Sequence, residues 1–423
     1  MAAPLALLAA RYVYPVAARA ITDGAVAVEG ERILAVGSAT DLAARYPNAR
    51  RIDLGMTALL PAAINAHTHL ELTALRGAIA EELPMAEWII ALMGQRRALG
   101  EEALRASAAE GARQTLASGV AAIGEIATYG HAIAPVIESG LRGVIYLEAL
   151  SGDPAQADAT LERAKAQLAR WQAEYRGAPV RFGLSLHAPY TVSAPLFERG
   201  AAWCRAEGVP LSIHAAESPA ETLWLRDRSG PIRDTLYASR GLPVDLEPAP
   251  GVSPIRHLAT CGALGAETLL AHGVQVDADD LALLHATRTA LAHCPRSNTR
   301  LLNGRLPWAA YRAADVRLAL GTDSLASAPS LSLWEEAAAA LALHTAAGEP
   351  PDPAELLRLA TLGGADALGL LDDLGSLEPG KLARFASAPL DQLGQFDAAS
   401  RATPDAALRA VMSGRVRIGA VRL

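Results

Sequence analysis

The chain has 423 residues, of which 51% are hydrophobic and 20% charged, so its length suits two or three domains, or one barrel with an accessory piece. Its formal net charge is −7, which argues against a general binder of nucleic acid or anionic membranes because such proteins present a basic face. No uncharged apolar stretch reaches the roughly 20 residues that a membrane-spanning helix needs.

The N-terminal run MAAPLALLAARY is apolar, but no basic residue precedes it. We therefore do not expect a signal peptide. The three cysteines, Cys204, Cys261 and Cys294, are too few and too scattered for a disulfide framework or a cysteine-rich zinc module. These features predict a cytoplasmic protein.

Both ends of the chain have the sequence pattern of short β-strands separated by turns. Residues 11–37 alternate apolar runs with turns such as Asp23-Gly24, which is typical of a β-meander. Near the C-terminus, the turn residues of 375–380 precede short runs that contain valine and isoleucine. The two ends are therefore predicted to form a small accessory sheet.

In the middle of the chain, short apolar segments alternate with long helical stretches, for example 101–117, 155–175 and 334–347. The eight strand candidates are 57–66, 119–127, 142–148, 180–187, 210–215, 268–273, 289–293 and 316–322. This alternation predicts parallel strands joined by crossover helices, and eight such units suit an α/β fold of the TIM-like (β/α)₈ barrel type. An open doubly wound sheet is the alternative, but no GxGxxG turn follows the first strand.

Unusual polar residues stand at or just after the ends of the predicted strands. They are His67 and His69, Glu125, Glu148, His187, His214 and Glu217, His272, His293 followed by Ser297 and Asn298, and Asp323. In a barrel these ends converge on one mouth, where active sites of this fold lie, whereas in an open sheet they spread along an edge. The long intervals 70–118 and 216–267 open at the same mouth, and we expect them to shape a substrate pocket.

Four of these residues suit a metal ion. His67 and His69 are separated by two positions on a strand, so both imidazoles can face one ion. With His214 and Asp323 they give three imidazoles and one carboxylate, which fits a divalent ion with a place left for water. Only two lysines, Lys165 and Lys381, are present, and neither ends a strand. One ion is therefore expected rather than a pair bridged by a modified lysine. Zinc is the first choice, and iron suits the same ligands.

Two further residues have open interpretations. His272 is either a fourth imidazole ligand or a group that orients the water. Glu217, three residues beyond His214, either swings its carboxylate over the ion or is an acid that stabilises a helix N-terminus.

The motifs together resemble the amidohydrolase superfamily, in the branch of the cytosine, guanine and S-adenosylhomocysteine deaminases and the triazine hydrolases. The matching segments are Asp23-Gly24, 61–71 with 75–77, 187–191, 214–218, His272-Gly273, 293–298, 321–324 and 375–381. This chain departs at Pro61-Ala62, where the family has Pro-Gly. It also departs at Lys381-Leu382-Ala383-Arg384, where the family has Lys-x-Ala-Asp.

The resemblance implies roles for the matching positions. His67, His69, His214 and Asp323 would bind the metal, His272 would contact the hydrolytic water, and Glu217 would shuttle protons. Asp323 would relay a second proton, and the positions that would line the substrate pocket are His187, Ser297 and Asn298. Residues 1–58 and 371–423 would form an accessory β-sandwich, with the catalytic barrel over 59–370.

The implied reaction is hydrolysis of a C–N bond by metal-activated water. A proton shuttle at Glu217 favours deamination of an amino-bearing, purine nucleoside-like compound over dehalogenation. The segment 217–256 is most similar to aminodeoxyfutalosine deaminases, which act on a nucleoside that carries a benzoate. Its arginines could bind that carboxylate, or could form ordinary surface pairs with the acids of the same span. These arginines are Arg226, Arg228, Arg233, Arg240 and Arg256.

The sequence also leaves two alternative functions open: a different hydrolase and a non-catalytic barrel. A hydrolase of a pterin, a triazine or a cyclic amide would use the same metal site with a different pocket. A non-catalytic scaffold barrel is disfavoured because all four metal-ligand positions are intact. The expected partner is a small heterocyclic molecule, with neither nucleic acid nor a membrane, and the pattern is compatible with a homo-oligomer.

Overall fold

The computed structural model describes residues 5–393, 399 and 402–421. The strands are β1 Leu5–Val13, β2 Ile21–Glu29, β3 Arg32–Ser38, β4 Arg50–Asp53, β5 Thr57–Pro61, β6 Ala63–Thr68, β7 Val120–Ala127, β8 Arg142–Ala149, β9 Val180–Leu186, β10 Leu211–Ala215, β11 Thr268–His272, β12 Ala290–His293, β13 Arg317–Leu320, β14 Phe385–Pro389 and β15 Gly419–Ala420. The helices are α1 Ala39–Arg45, α2 Met85–Ala98, α3 Glu101–Ala117, α4 Ile133–Ser139, α5 Ala157–Glu174, α6 Ala194–Glu207, α7 Pro219–Asp227, α8 Pro254–Thr260, α9 Ala278–Thr287, α10 Pro295–Arg300, α11 Trp308–Ala313, α12 Leu333–Ala346, α13 Pro353–Arg358, α14 Gly364–Ala367 and α15 Pro404–Met412.

Eight strands, β6 to β13, form a parallel sheet in which each strand pairs with its neighbours in chain order. An isolated parallel bridge between Thr68 and Asp323 joins the ends of the first and last of these strands. The sheet is therefore a nearly closed barrel, and the predicted fold class is confirmed. The helices predicted over 101–117, 155–175 and 334–347 correspond to α3, α5 and α12.

The first predicted strand, 57–66, is two strands in the structure. Residues Thr57–Pro61 pair antiparallel with β14, and Ala63–Thr68 is the first barrel strand. The backbone N–H of Ala62, between the two, donates to the carbonyl of Arg384. Because both strands are buried throughout, they read in the sequence as one apolar run without a break.

The chain ends build the second sheet, which has seven strands in the order β15-β14-β5-β1-β2-β3, with β4 paired to β1. Side chains alternate between its faces: Leu8, Val26 and Leu59 pack in one apolar cluster, while Leu7 and Ala25 pack with Leu42 of α1 in another. The alternation of side chains between the two faces of this sheet explains the β-meander pattern of the N-terminal sequence.

By its contacts, the chain divides into two compact units. One contains residues 1–65, 114–122 and 332–423, and the other contains 66–113 and 123–331. The division predicted from the sequence, 59–370 against 1–58 and 371–423, stays a prediction. Its accessory part includes residues 1–4, 394–398, 400–401 and 422–423, which lie outside the described residues. Within the described part of the chain, no helix is both long and apolar enough to span a bilayer.

Candidate active site

The strand ends of the second unit bring the predicted metal ligands together. His67 lies on β6, His69 directly follows it, His214 lies on β10, and Asp323 follows β13. The ligand atoms of His67, His69 and Asp323 lie within 4.8 Å of one another, and those of His67, His214 and His272 form a second such group. His67 belongs to both groups, so the five side chains converge on one place.

The distances in this cluster fit a single divalent ion. The Nε2 atoms of His214 and His69 are 3.3 Å apart, and Nε2 of His69 is 3.4 Å from Oδ1 of Asp323. Two ligand atoms bound at about 2.1 Å to one tetrahedral ion lie roughly 3.4 Å apart. The separation of these two imidazole nitrogens therefore matches that of two ligands of one ion.

Burial keeps the imidazoles of His67 and His69 neutral. It lowers the pKa of His69 to about 4 and the pKa of His67 well below its ordinary value. A neutral imidazole has a lone pair to donate, and this is the form that binds metals. Asp323 stays ionised: burial alone would raise its pKa, but His69, His272 and two hydroxyls lower it.

Neighbouring groups fix the orientation of two of the ligands, His214 and Asp323. Nδ1 of His214 lies 3.0 Å from the carbonyl oxygen of His187, so it carries the proton and Nε2 is left with a lone pair. Asp323 accepts hydrogen bonds at Oδ2 from Ser297 at 2.6 Å and from Ser327 at 2.7 Å, so Oδ1 faces the imidazoles. Such outer contacts hold ligands in the geometry that a metal requires.

Three residues of the site have a left-handed backbone, which is uncommon outside glycine. The φ angles are 79° at His272, 55° at Asp323 and 53° at Ala216. Each of these residues ends a barrel strand or lies within three residues of its end, where the chain turns out of the sheet. Strain of this kind is concentrated at functional sites, and here it coincides with the predicted ligands and their neighbours.

Glu217 lies beside His272. Its Oε1 accepts a hydrogen bond from Nδ2 of Asn303 at 2.9 Å and is 3.8 Å from Nε2 of His272. The other imidazole nitrogen, Nδ1, donates to Oδ1 of Asn298 at 2.8 Å. A carboxylate and an imidazole thus meet, both buried, at the edge of the ligand cluster.

The structure also bears on the alternative role of Glu217 at a helix N-terminus. The carboxylate that serves the start of α7 belongs to Glu221, which accepts from the backbone N–H of Ala216 at 3.1 Å and of Glu217 at 2.8 Å. Ser218 caps the helix by accepting from the N–H of Glu221. The side chain of Glu217 is therefore not used for capping and faces His272 instead.

Glu221 is one of the acids of 217–256 for which the sequence favoured a surface position, but its side chain is fully buried. Burial raises its pKa to about 8, against the backbone N–H groups that lower it. The signal that could have identified it is the pattern Ser218-x-x-Glu221 ahead of an apolar helix, the signature of a capping box.

Asn303 was also missed. It lies just after α10, and no motif marks it. The segment 297–303 nevertheless contacts three predicted catalytic residues: Ser297 bonds Asp323, Asn298 bonds His272 and Asn303 bonds Glu217. The substrate-lining role expected for Ser297 and Asn298 stays a prediction, and both side chains are buried against catalytic groups.

His187 flanks the cluster on the side of β9. Its ring centroid is 5.1 Å from that of His214, and its Nδ1 is 2.6 Å from the hydroxyl of Thr191. Burial lowers its pKa to about 4. Glu148 accepts from Thr128 at 2.8 Å, and its charge acts on His187 and His69. His187 is thus a neutral, oriented imidazole at the position predicted for substrate binding.

The arginines of 226–256 mostly make local contacts. Arg226 pairs with Asp227, Arg233 with Asp234, and Arg256 with the acids at the start of α9. Arg228 stacks on Trp224, at 4.7 Å from the ring centroid, and Arg240 donates to the sulfur of Met93. Surface pairing therefore accounts for three of the five.

Comparison with known proteins gives four consistent similarities. Residues 58–414 match the model of the amidohydrolase family. The chain is 35% identical over 82% of its length to an aminodeoxyfutalosine deaminase of Deinococcus radiodurans, of which it covers 82%. It is 33% identical over 86% of its length to a 5-methylthioadenosine/S-adenosylhomocysteine deaminase of Syntrophobacter fumaroxidans, covering 80% of it. The crystal structure of an adenosine deaminase from Xanthomonas campestris with bound zinc superposes with a TM-score of 0.78, at 27% identity, over 97% of this chain and 90% of that one.

Proposed function

The chain belongs to the amidohydrolase family, and from this premise we propose that it is a metal-dependent aminohydrolase that deaminates an amino-bearing, purine nucleoside-like compound. The observation that carries the proposal is the contact between Glu217 and His272, 3.8 Å apart, beside the cluster of imidazoles and a carboxylate. Metal ligands alone would suit many hydrolases. An adjacent proton shuttle is what release of an amine requires.

We assign one divalent ion to His67, His69, His214 and Asp323. The nitrogen-rich ligand set favours zinc, and the Xanthomonas structure contains zinc. When bound, such an ion lowers the pKa of a water to about 7 and polarises the bond under attack. We assign the reaction to the cytoplasm, in keeping with three buried cysteines, none of which forms a disulfide among the described residues.

The chain's own residues then move the protons. Asn303 holds Oε1 of Glu217, so we assign proton transfer to Oε2, which accepts a proton from the attacking water and delivers it to a ring nitrogen of the substrate. His272, with Nδ1 donating to Asn298, has a lone pair at Nε2, with which it accepts a hydrogen bond from the attacking water and orients it. Oδ1 of Asp323 carries the second proton to the leaving amine. A C–O bond forms, the C–N bond breaks, and ammonia leaves.

The assignment of a nucleoside substrate rests on the similarity of this chain to three other proteins. The Deinococcus and Syntrophobacter relatives and the Xanthomonas structure all carry the names of deaminases of adenine nucleosides or their derivatives. The intervals after β6 and β10 are long, and they supply α2, α3, α7 and α8. From their length we infer that they enclose a substrate larger than a single heterocyclic ring.

The test is ammonia release from a panel of aminopurine nucleosides, pterins, pyrimidines and triazines, with metal content measured on the same preparation. We expect about one divalent ion per chain and the highest kcat/KM on an aminopurine nucleoside. Free cytosine or guanine as the best substrate by a wide margin would overturn the nucleoside assignment. Two tightly held ions per chain would overturn the single-ion site.

A further inference from the structure

Residues 77–84 form a strap between the end of the first barrel strand and the helix α2. The strap belongs to no helix or strand, and most of its residues are exposed. Ile79 is the exception, because it is 3% exposed and packs in an apolar cluster that includes Leu72 and Ala326. Each of these two residues lies three positions after a proposed metal ligand. The strap is therefore seated on the rim of the barrel, beside the candidate active site.

One guanidinium group holds the strap in place. Nη2 of Arg300 donates to the carbonyl oxygen of Ile79 at 3.0 Å, and Nη1 donates to Oε1 of Glu81 at 3.1 Å. The side chain of Glu81 is 81% exposed, and an ion pair that is this open to water contributes little to stability. Burial of a single isoleucine side chain adds a modest amount. The strap can therefore leave the rim while the barrel stays folded.

The backbone turns sharply near both ends of the strap. The φ angles are 69° at Gly77 and 57° at Glu82, both in the left-handed region. Apart from its chain neighbours, a Cβ atom at Gly77 would meet no heavy atom within 4 Å, so glycine is needed there for its backbone freedom and not for packing. Glu82 adopts the same conformation although it has a side chain, which is uncommon. Loop positions of this kind absorb the changes in φ and ψ when a loop moves.

The residue that holds the strap belongs to the segment that supports the catalytic groups. Arg300 is the last residue of α10. The side chains of Ser297, Asn298 and Asn303, in the same segment, form hydrogen bonds with the three predicted catalytic residues. The seating of the strap and the orientation of the catalytic side chains therefore depend on one short stretch, 297–303.

We propose that the strap 77–84 opens to admit the substrate and closes over it. In this proposal Arg300 is a positioning residue that holds the strap closed and joins its closure to the segment 297–303. The proposal rests on the proposed nucleoside deaminase function for the identity of the enclosed molecule. Closure keeps bulk water away from the reacting groups and commits the bound molecule to reaction.

The first test measures how often the strap opens in the folded, metal-loaded enzyme. A glutamate-specific protease needs a locally extended chain to cleave after Glu81 or Glu82, so the rate of this cleavage follows the population of the open state. In Arg300→Gln we expect cleavage in the strap to be about 10-fold faster, because an ion pair and a charge-assisted hydrogen bond are lost. Metal content and Tm should stay near wild type, and Arg300→Lys should restore part of the protection. Arg97 is exposed near the end of α2, so Arg97→Gln is the matched control and should be cleaved as slowly as wild type.

A second variant tests the strap without touching Arg300. In Gly77→Ala the left-handed backbone of the closed state becomes unfavourable, so cleavage in the strap should be about 5–30-fold faster. Gly100 also has open space around the position of a Cβ atom, but its φ angle is not left-handed. Gly100→Ala is therefore the matched control and should leave the strap protected.

Closure over the substrate is tested with adenosine in Glu217→Gln, which should bind the nucleoside without rapid turnover. Adenosine well above its KM should protect the strap from cleavage, and adding Arg300→Gln should remove most of this protection. In the otherwise wild-type enzyme, Arg300→Gln should lower kcat about 10-fold, within the range for hydrogen bonds to a charged group. Combined with Asn303→Leu, the two losses should be less than additive, because both substitutions act through 297–303.

Different results would overturn each part of the proposal. Cleavage at the wild-type rate in both Arg300→Gln and Gly77→Ala, or cleavage only together with general digestion of the barrel, would show that the strap is a fixed part of the rim. Equal cleavage with and without saturating adenosine would overturn closure over the substrate, and an unchanged kcat in Arg300→Gln would overturn the positioning role. Failure of the proposed function looks different: no nucleoside would then yield ammonia, while both variants would still accelerate cleavage in the strap.

Discussion

The two sides of the candidate active site are held in different ways. On the ligand side, His67 and His214 lie on barrel strands and Asp323 lies three residues after one. A main-chain carbonyl orients His214, and two hydroxyls orient Asp323. On the acid–base side, Glu217 lies in a loop and depends on two side chains from separate segments, Asn303 and Glu221. The sheet therefore positions the ligands, whereas the proton shuttle is positioned by hydrogen bonds. Substitutions should be able to separate metal binding from turnover.

The largest effect is expected on the ligand side. His214→Ala removes an imidazole whose Nε2 is 3.3 Å from that of His69, so the ion loses one of four ligands. We expect both metal content and ammonia release to fall to background, measured by elemental analysis and a coupled assay. An active variant that retains its ion would remove His214 from the ligand set.

On the acid–base side, Glu217→Gln keeps the size and polarity of the side chain but removes the proton acceptor. Turnover should fall by roughly 10²–10⁴, the usual contribution of a positioned general acid–base group, while metal content stays near wild type. If the variant keeps full activity but has a lowered Tm, the assignment of Glu217 to an acid–base side distinct from the ligand side is wrong. Glu217 would then be a structural residue, and Asp323 would be the next candidate for proton transfer.

Ser327 offers a milder test of the ligand side. Its hydroxyl donates to Oδ2 of Asp323 at 2.7 Å, and Ser327→Ala leaves that oxygen with Ser297 alone. Loss of such an outer contact typically costs about 10–100-fold in metal affinity or activity. We expect the loss in affinity, measured by competition with a chelator, and near-normal kcat once the variant is saturated with metal. Reduced kcat at unchanged affinity would place Ser327 with the acid–base side.

The same difference explains what could be predicted from the sequence. Each barrel ligand follows an apolar strand, so the pattern of a strand and a terminal polar residue identified His67, His214 and Asp323 together with the barrel. The supporting residues carry no such pattern. Asn303 acts on Glu217, 86 positions earlier in the chain, through a contact that only the folded barrel creates. Glu221 had a local capping signature, but the charged residues around it favoured a surface interpretation. The split at Ala62 was also hidden, because both of the strands that flank it are buried.

The smallest and most selective effect is expected at Asn303. Asn303→Leu keeps the approximate size of the side chain and removes the N–H group that holds Oε1 of Glu217. The backbone contacts of Asn303, from its N–H to the carbonyl of Asn298 and from Gln275 to its own carbonyl, do not need the side chain, so the turn should persist. Because Glu217 would still be present but less well oriented, we expect kcat to fall about 10-fold, within the range for a hydrogen bond to a charged group. KM and metal content should be unchanged.

Leu302 is 54% exposed, so Leu302→Ala is the matched control and should behave as wild type. If Asn303→Leu instead loses metal while Leu302→Ala does not, the two sides of the site are coupled through 297–303, and the separation drawn between them is wrong.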